Sequence, residues 1–237
     1  MGDVNARGYF ITGTDTGVGK TVFTSQLARF LTANPRAAES VAAYKPACSG
    51  AECRTGEPPA WADVEALFAA TGEAFPRNRI CPQTFLAPLS PPTAAALEGR
   101  KVDEGLLVEG YLWLAERAEI VLVEGAGGFY SPISTNWLNA DLAQRIGLPV
   151  MIVAPHRLGT INQTLLTIEA IRHRGLKIAG VVLNQLSPTP DPSLASNAEE
   201  ICQRGNIRLW GTLAYGGGWS GNHQSIWHSI QAEVRMH

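Results

Sequence analysis

The chain has 237 residues, 45% of them hydrophobic and 17% charged, with a formal net charge of −2; it is long enough to bury a substantial core within one domain spanning 1–237. Its 19 basic residues are scattered and form no run, which argues against electrostatic binding of nucleic acid. The polar start Met1–Arg7 and the lack of a bilayer-length apolar stretch argue against a signal or membrane segment, so Cys48, Cys53, Cys81 and Cys202, which lack zinc-site spacing, are expected to be free thiols of a cytoplasmic protein.

Strands and helices alternate along the chain. Tyr9–Thr12 is a short apolar run closed by Gly13 and is expected to be a buried strand, followed after a glycine-rich turn by a helix over Thr21–Ala33. Val41–Tyr44 is a second strand ended by Lys45-Pro46, 47–60 a loop, and Asp63–Ala70 a helix closed by Gly72. Residues 76–92 carry prolines throughout and are expected to be extended and irregular. A helix over Asp103–Arg117 leads into Ile120–Val123, whose continuous β-branched, apolar character suits a strand covered on both faces. Then come helix Leu138–Ile146, strand Val150–Ala154, helix Thr160–Arg174, strand Ile178–Leu183, helix Leu194–Arg204, a short strand at Leu209 and a terminal helix Gln224–Val234. This order implies an α/β fold of one domain with a mostly parallel sheet and helices on both faces, which the glycine-rich turn after the first strand makes a P-loop NTPase fold.

The strongest chemical signal is Gly13-Thr14-Asp15-Thr16-Gly17-Val18-Gly19-Lys20-Thr21, set between the first strand and the first helix. Glycines let successive backbone N–H groups turn toward a polyphosphate, and the helix N-terminus adds partial positive charge. In such a loop Lys20 reaches the β- and γ-phosphates and the Thr21 hydroxyl takes a place on Mg²⁺. The loop is one residue longer than the usual spacing.

Mg²⁺ is commonly held by one or two carboxylates together with phosphates and water. Glu124 is placed directly after the strand Ile120–Val123, where such enzymes take their acidic ligand, and the small residues Gly125-Ala126-Gly127-Gly128 leave room for nucleotide beside it. Asp63 is a second candidate; at the start of a predicted helix, its charge would equally complement the helix dipole.

Together these residues resemble a known family, the dethiobiotin synthetases, from about Tyr9 to Leu213. The long phosphate loop, Tyr44-Lys45-Pro46-Ala47-Cys48-Ser49-Gly50, Ser90-Pro91 after Thr84-Phe85, Val123-Glu124-Gly125-Ala126-Gly127-Gly128, Leu158-Gly159-Thr160-Ile161-Asn162 and Val182-Leu183-Asn184 carry the resemblance in order. It implies a homodimer that uses MgATP to convert 7,8-diaminononanoate and CO₂ into dethiobiotin. It further implies that Lys20 and Lys45 act catalytically. Gly17, Val18, Gly19, Thr21, Val22, Gly125, Ala126, Gly127 and Asn184 would bind nucleotide, with Thr21, Asp63 and Glu124 around the metal. Ser49, Ser90, Pro91, Gly159, Thr160 and Asn162 would bind substrate, the last three from the partner subunit across the dimer interface. Independently of the resemblance, Thr160 could simply cap its helix.

Gly211–Tyr215, followed by Gly216–Gly218, departs from the family's adenine region, and the tail with Trp219 and Trp227 has no counterpart in the resemblance. An alternative reading is a partitioning or division-site ATPase acting as a dimer switch. Its relatives carry another lysine early in the loop, where this chain has Thr14 and Asp15. A cobyrinate-type amidase would need a glutaminase domain for which there is no room. A scaffold without chemistry is disfavoured by the retention of Lys20, Thr21, Lys45 and Glu124.

Overall fold

The computed structural model describes residues 7–34, 40–189, 191–216 and 218–220. In chain order the elements are β1 (Arg7–Gly13), α1 (Lys20–Thr32), β2 (Val41–Tyr44), β3 (Cys48–Ser49), α2 (Ala62–Ala70), α3 (Arg77–Ile80), β4 (Thr84–Phe85), α4 (Pro91–Leu97) and α5 (Glu104–Ala115). They continue with β5 (Ile120–Gly128), α6 (Asn139–Ile146), β6 (Val150–Pro155), α7 (Thr160–His173), β7 (Ile178–Asn184), α8 (Leu194–Gly205), β8 (Leu209–Leu213) and β9 (Trp219–Ser220).

One sheet runs β2-β5-β1-β6-β7-β8-β9, parallel throughout except for the antiparallel β8–β9 pair. Because successive strand residues face opposite sides, the strands divide their apolar residues between two cores. Phe10, Val121, Val123, Val150, Ile152, Val181 and Leu183 join the core shared with α5, α6, α7 and α8. Tyr9, Ile11, Ile120, Leu122, Met151, Val153 and Val182 join the core formed with Phe23, Leu27, Ala28 and Leu31 of α1. A third cluster, Val64, Leu67 and Phe68 with Ile80, packs α2 and α3 against Ala43 of β2. The continuous apolar runs are thus explained by burial on both faces.

Three expectations are corrected. The loop expected over 47–60 contains β3, which pairs with β4. The strand carrying Glu124 does not stop at Val123; β5 runs on to Gly128. It can do so because β1 stays alongside, pairing Ile11 with Glu124 and, past a register shift, Gly13 with Gly128. Nor is 76–92 wholly irregular. Pro76 is the N-cap of α3, β4 pairs with β3, and Pro91 opens α4, where its missing N–H costs nothing. The expected helix Gln224–Val234, with Trp227, lies outside the described residues. No helix among the described residues is long and apolar enough to cross a membrane.

Candidate active site

The parallel strands β1, β2 and β5 end on one side of the sheet, and the motifs that follow them surround a cavity of about 410 Å³. From the phosphate loop and α1, Gly17, Gly19, Lys20, Thr21 and Val22 line it; Lys45 and Ser49 come from the β2–β3 segment, Asp63 from α2, and Glu124, Ala126 and Gly127 from β5.

The loop's shape is set locally. Thr14 N–H donates to Val153 O at 3.0 Å, extending the β1–β6 pairing by one residue. Thr16 N–H then donates to the Asp15 carboxylate at 2.7 Å, and Gly17 and Gly19 take φ of 72° and 90°, conformations that glycine adopts without steric cost. Gly19 is the N-cap of α1 and has no side chain to bond the first-turn amides, so those donors remain for a ligand. The Lys20 ammonium lies back along the loop, 3.2 Å from Asp15 O.

Lys45 follows the edge strand β2 and is tied down by its N–H, which donates to Ile80 O at 2.7 Å; the following Pro46 disfavours helical backbone at Lys45. Its buried Nζ lies 2.6 Å from Glu124 Oε1 and 2.9 Å from Asp63 Oδ2. The Thr21 hydroxyl donates to the same Glu124 Oε1 at 2.7 Å. Asp63 sits in the first turn of α2, so its dipole role and its site role coexist.

These neighbours set the protonation states. Burial pushes Lys20 down, Lys45 pushes it further, and nearby carboxylates only partly restore it, leaving its pKa lowered to about 8. Burial also pushes Lys45 down, but Glu124 and Asp63 outweigh it and hold Lys45 above its ordinary value, as a cation. For Asp63 the upward push of burial is overcome by Lys45, through its charge and its hydrogen bond, so it stays below the usual carboxylate range. Burial raises Cys48, on the cavity wall, to about 11 despite Lys45, which keeps it a thiol.

Mg²⁺ fits this donor set. Glu124 is fully buried and its Oε2 has no hydrogen-bond partner, an arrangement that is costly unless something binds there. Thr21 and Asp63 add two further hard oxygen donors in the same cavity.

The remaining expected residues lie farther out. Val18 and Gly125 are buried behind the cavity wall, and Asn184 holds Val18 O through its side-chain amide at 2.9 Å. Ser49 Oγ donates to Leu89 O at 2.5 Å, next to Ser90, whose hydroxyl pairs with Thr93 at 2.8 Å, and Pro91 is the first residue of α4. Gly159, Thr160 and Asn162 do not line this cavity. The Thr160 cap is corrected. The chain enters α7 through Gly159 at φ 91°, so Gly159 is the N-cap and the Thr160 hydroxyl turns inward, buried and unpartnered. Thr16, Ala47 and Cys48 were not singled out as site residues, yet they line the cavity. Also missed was Asn139, fully buried at the start of α6. It accepts from Ala126 N–H at 3.0 Å and donates toward Ala126 O at 2.7 Å, Ser131 O at 2.9 Å and Gly128 O at 3.1 Å, fixing the turn beyond Glu124.

A glycine-rich loop between strand and helix, a lysine and threonine at its end and a buried carboxylate on the neighbouring strand define a P-loop nucleotide-binding protein. Residues 7–217 match the family model described as an AAA domain. The chain is 48% identical over 197 residues to the ATP-dependent dethiobiotin synthetase BioD of Anaeromyxobacter dehalogenans (strain 2CP-C), covering 83% of this chain and 85% of that protein. It is 38% identical to the synthetase of the same name from Bacillus subtilis (strain 168), over 82% of this chain and 81% of that one. The chain belongs to the dethiobiotin synthetase family. Among solved structures, the septum site-determining protein MinD of Pyrococcus horikoshii OT3, complexed with Mg-ADP, is 14% identical with TM-score 0.52 over 97% of this chain and 96% of that one. A ParA family ATPase from Chlorobium tepidum TLS is 12% identical with TM-score 0.51, over 97% and 89%. At that identity the likeness concerns the fold alone, so the dimer-switch reading gains no support from it.

Proposed function

We propose that this chain, acting as one domain in the cytoplasm, is an ATP-dependent ligase of biotin synthesis that joins 7,8-diaminononanoate and CO₂ into dethiobiotin. The observation that carries the reading is Lys45: a second buried cation, 2.6 Å from Glu124, in the same cavity as the phosphate-loop Lys20. Phosphate-loop enzymes gather cations on the transferred phosphate, and here the second comes from the β2–β3 segment and not from the loop. A reaction that brings a second anion up to that phosphate needs a cation between the two.

One substrate amine attacks CO₂ and loses a proton to give a carbamate. A carbamate oxygen attacks the γ-phosphorus, the bond to the ADP oxygen breaks, and a carbamic–phosphoric anhydride forms. The second amine attacks the carbonyl carbon, closes the ureido ring and expels phosphate. Lys20 binds β- and γ-phosphate oxygens, and Lys45 stands by the carbamate and reduces the repulsion between the two anions. Ser49 orients an amine or the carbamate. Thr21, Asp63 and Glu124 would hold Mg²⁺, which when bound neutralises phosphate charge. Asn184 lies on the base side of the nucleotide, while Ser90 and Pro91 lie on the substrate side. In a homodimer the partner's α7 start, with Gly159, Thr160 and Asn162, would receive the substrate carboxylate at its helix N-terminus.

The test is phosphate release from MgATP and bicarbonate, with and without 7,8-diaminononanoate. Diamine-dependent release with an equal yield of dethiobiotin is expected. Release indifferent to the diamine would overturn the reading and favour the dimer-switch alternative.

A further inference from the structure

The family resemblance gives Asn184 only a place beside the nucleotide base, but its geometry ties it to the phosphates. Asn184 is the last residue of β7 and is held in the middle of the sheet, its Cα in register with Pro155 of β6 on one side and Leu213 of β8 on the other. Its carbonyl accepts the His156 N–H at 2.7 Å. From this fixed position its side-chain Nδ2 donates 2.9 Å to the carbonyl of Val18, within the phosphate loop and 166 residues away in sequence. Asn184 is almost wholly buried, at 5% exposure.

Two features of the loop fit this contact. A Cβ on Gly19 would lie 1.9 Å from Asn184 Nδ2, so only glycine admits the amide there, and Gly19 also holds a φ of 90° that other residues resist. In a planar trans peptide the carbonyl of one residue and the N–H of the next point in opposite directions. A carboxamide that fixes Val18 O on the buried side therefore turns the Gly19 N–H away from Asn184. Val18 is buried, while Gly19 lines the cavity with Lys20 and Thr21.

We infer that Asn184 is a positioning residue of the phosphate loop. It locks the Val18–Gly19 peptide so that a backbone donor is aimed at the polyphosphate, whatever base is attached. A residue that only reads the base would affect nucleotide selectivity and leave the affinity of a baseless polyphosphate unchanged. The inference rests on the ATP-using reading only through the phosphate loop, since binding of a polyphosphate is measured without the diamine or CO₂.

The experiment measures, on the full chain by calorimetry, the Kd of inorganic tripolyphosphate and of ATP, each with Mg²⁺, for the native protein and for Asn184→Ala and Asn184→Ser. Loss of one hydrogen bond that orders a loop corresponds to about a tenfold weakening. The expected result is a similar loss for tripolyphosphate and ATP, with faster amide hydrogen exchange in the segment 17–21. Tripolyphosphate affinity unchanged from native, with only ATP weakened, would overturn the inference. So would a native-like exchange rate in that segment. If a variant fails to fold, the isosteric Asn184→Asp provides the same comparison, because an ionised carboxylate cannot donate to Val18 O. Diamine-dependent turnover of the native chain, measured separately, distinguishes failure of this inference from failure of the proposed function.

Discussion

Replacing Lys45 by Met keeps most of the side chain's length and removes its charge. In the native protein this ammonium neutralises Glu124 at 2.6 Å and Asp63 at 2.9 Å. Asp63 can turn to solvent, since its side chain is 40% exposed, but Glu124 is fully buried and would keep only the Thr21 hydroxyl at 2.7 Å. Removing one partner of a buried pair typically costs about 3–5 kcal/mol. Lys20 lies in the same cavity and is released from the repulsion of Lys45, so it offsets part of the loss. We therefore expect the low end, about 3 kcal/mol, which for a chain of this length lowers Tm by on the order of 10 °C. Urea unfolding of the nucleotide-free protein measures it. Lys45→Met combined with Glu124→Gln should recover at least about 1 kcal/mol relative to the sum of the single losses, because no uncompensated charge is then left buried. Millimolar Mg²⁺ should stabilise Lys45→Met more than the native protein, since two carboxylates are freed for a cation. A loss below about 1 kcal/mol for Lys45→Met, or strictly additive losses in the double variant, would refute the electrostatic account of the site.

Two further outcomes follow from individual groups. Lys20, lowered to about 8 chiefly by burial and then by Lys45, has a folded-state pKa below its unfolded value. Its cost to the folded chain is therefore fully present below pH 8 and is relieved as pH rises toward 10.5. A bound polyphosphate restores the charge, so at pH 8.5 binding should take up protons and affinity should fall as pH rises. Calorimetry in two buffers of different ionisation enthalpy reads the uptake, and a buffer-independent heat would refute it. In α5, Gly110→Ala would gain up to about 1 kcal/mol of helix propensity. However, the new Cβ would lie 2.4 Å from the hydroxyl of the buried Tyr44 and 2.9 Å from two of its ring carbons. That hydroxyl is held at 3.0 Å from the carbonyls of both Leu106 and Leu107, so the ring cannot easily retreat. Overpacking of this kind costs about 1–3 kcal/mol and should win; a lower urea midpoint is expected, and an unchanged or higher one would refute the reasoning.

The parts of this fold legible in the sequence are those where a local pattern and its tertiary setting agree. The run Ile120–Val123 reads as a doubly covered strand because both of its faces are apolar, and the structure buries both. The phosphate loop is legible because its glycines act through backbone conformation, and Gly17 and Gly19 do adopt positive φ. By contrast, the continuation of β5 through Gly125–Gly128 depends on β1 running alongside, and no residue in that glycine-rich stretch announces it. The pairing of β3 with β4 brings together Cys48 and Thr84, a non-local contact between two-residue strands that periodicity cannot register. Asn139 was missed for a related reason. Within its own helix it is one polar residue among several, and its importance comes only from the backbone carbonyls of Ala126, Gly128 and Ser131 that surround it.

The fold alone cannot decide between a synthetase and a dimer switch, because β1, the phosphate loop and α1 provide phosphate binding for either. What separates the two readings lies on the edge strand next to that frame. Lys45 is held by a backbone bond to Ile80, stiffened by Pro46 and kept charged by Glu124 and Asp63. A switch of the partitioning class takes its second lysine from the phosphate loop, where this chain has Thr14 and Asp15, whereas here the second cation stands after β2 against the carboxylate expected to take the metal. A ligase has a use for it there, because the carbamate must approach a phosphate that already carries several negative charges. The arrangement suits a second anion in the cavity. On that ground, removing the charge at Lys45 should impair the diamine-dependent step far more than nucleotide binding.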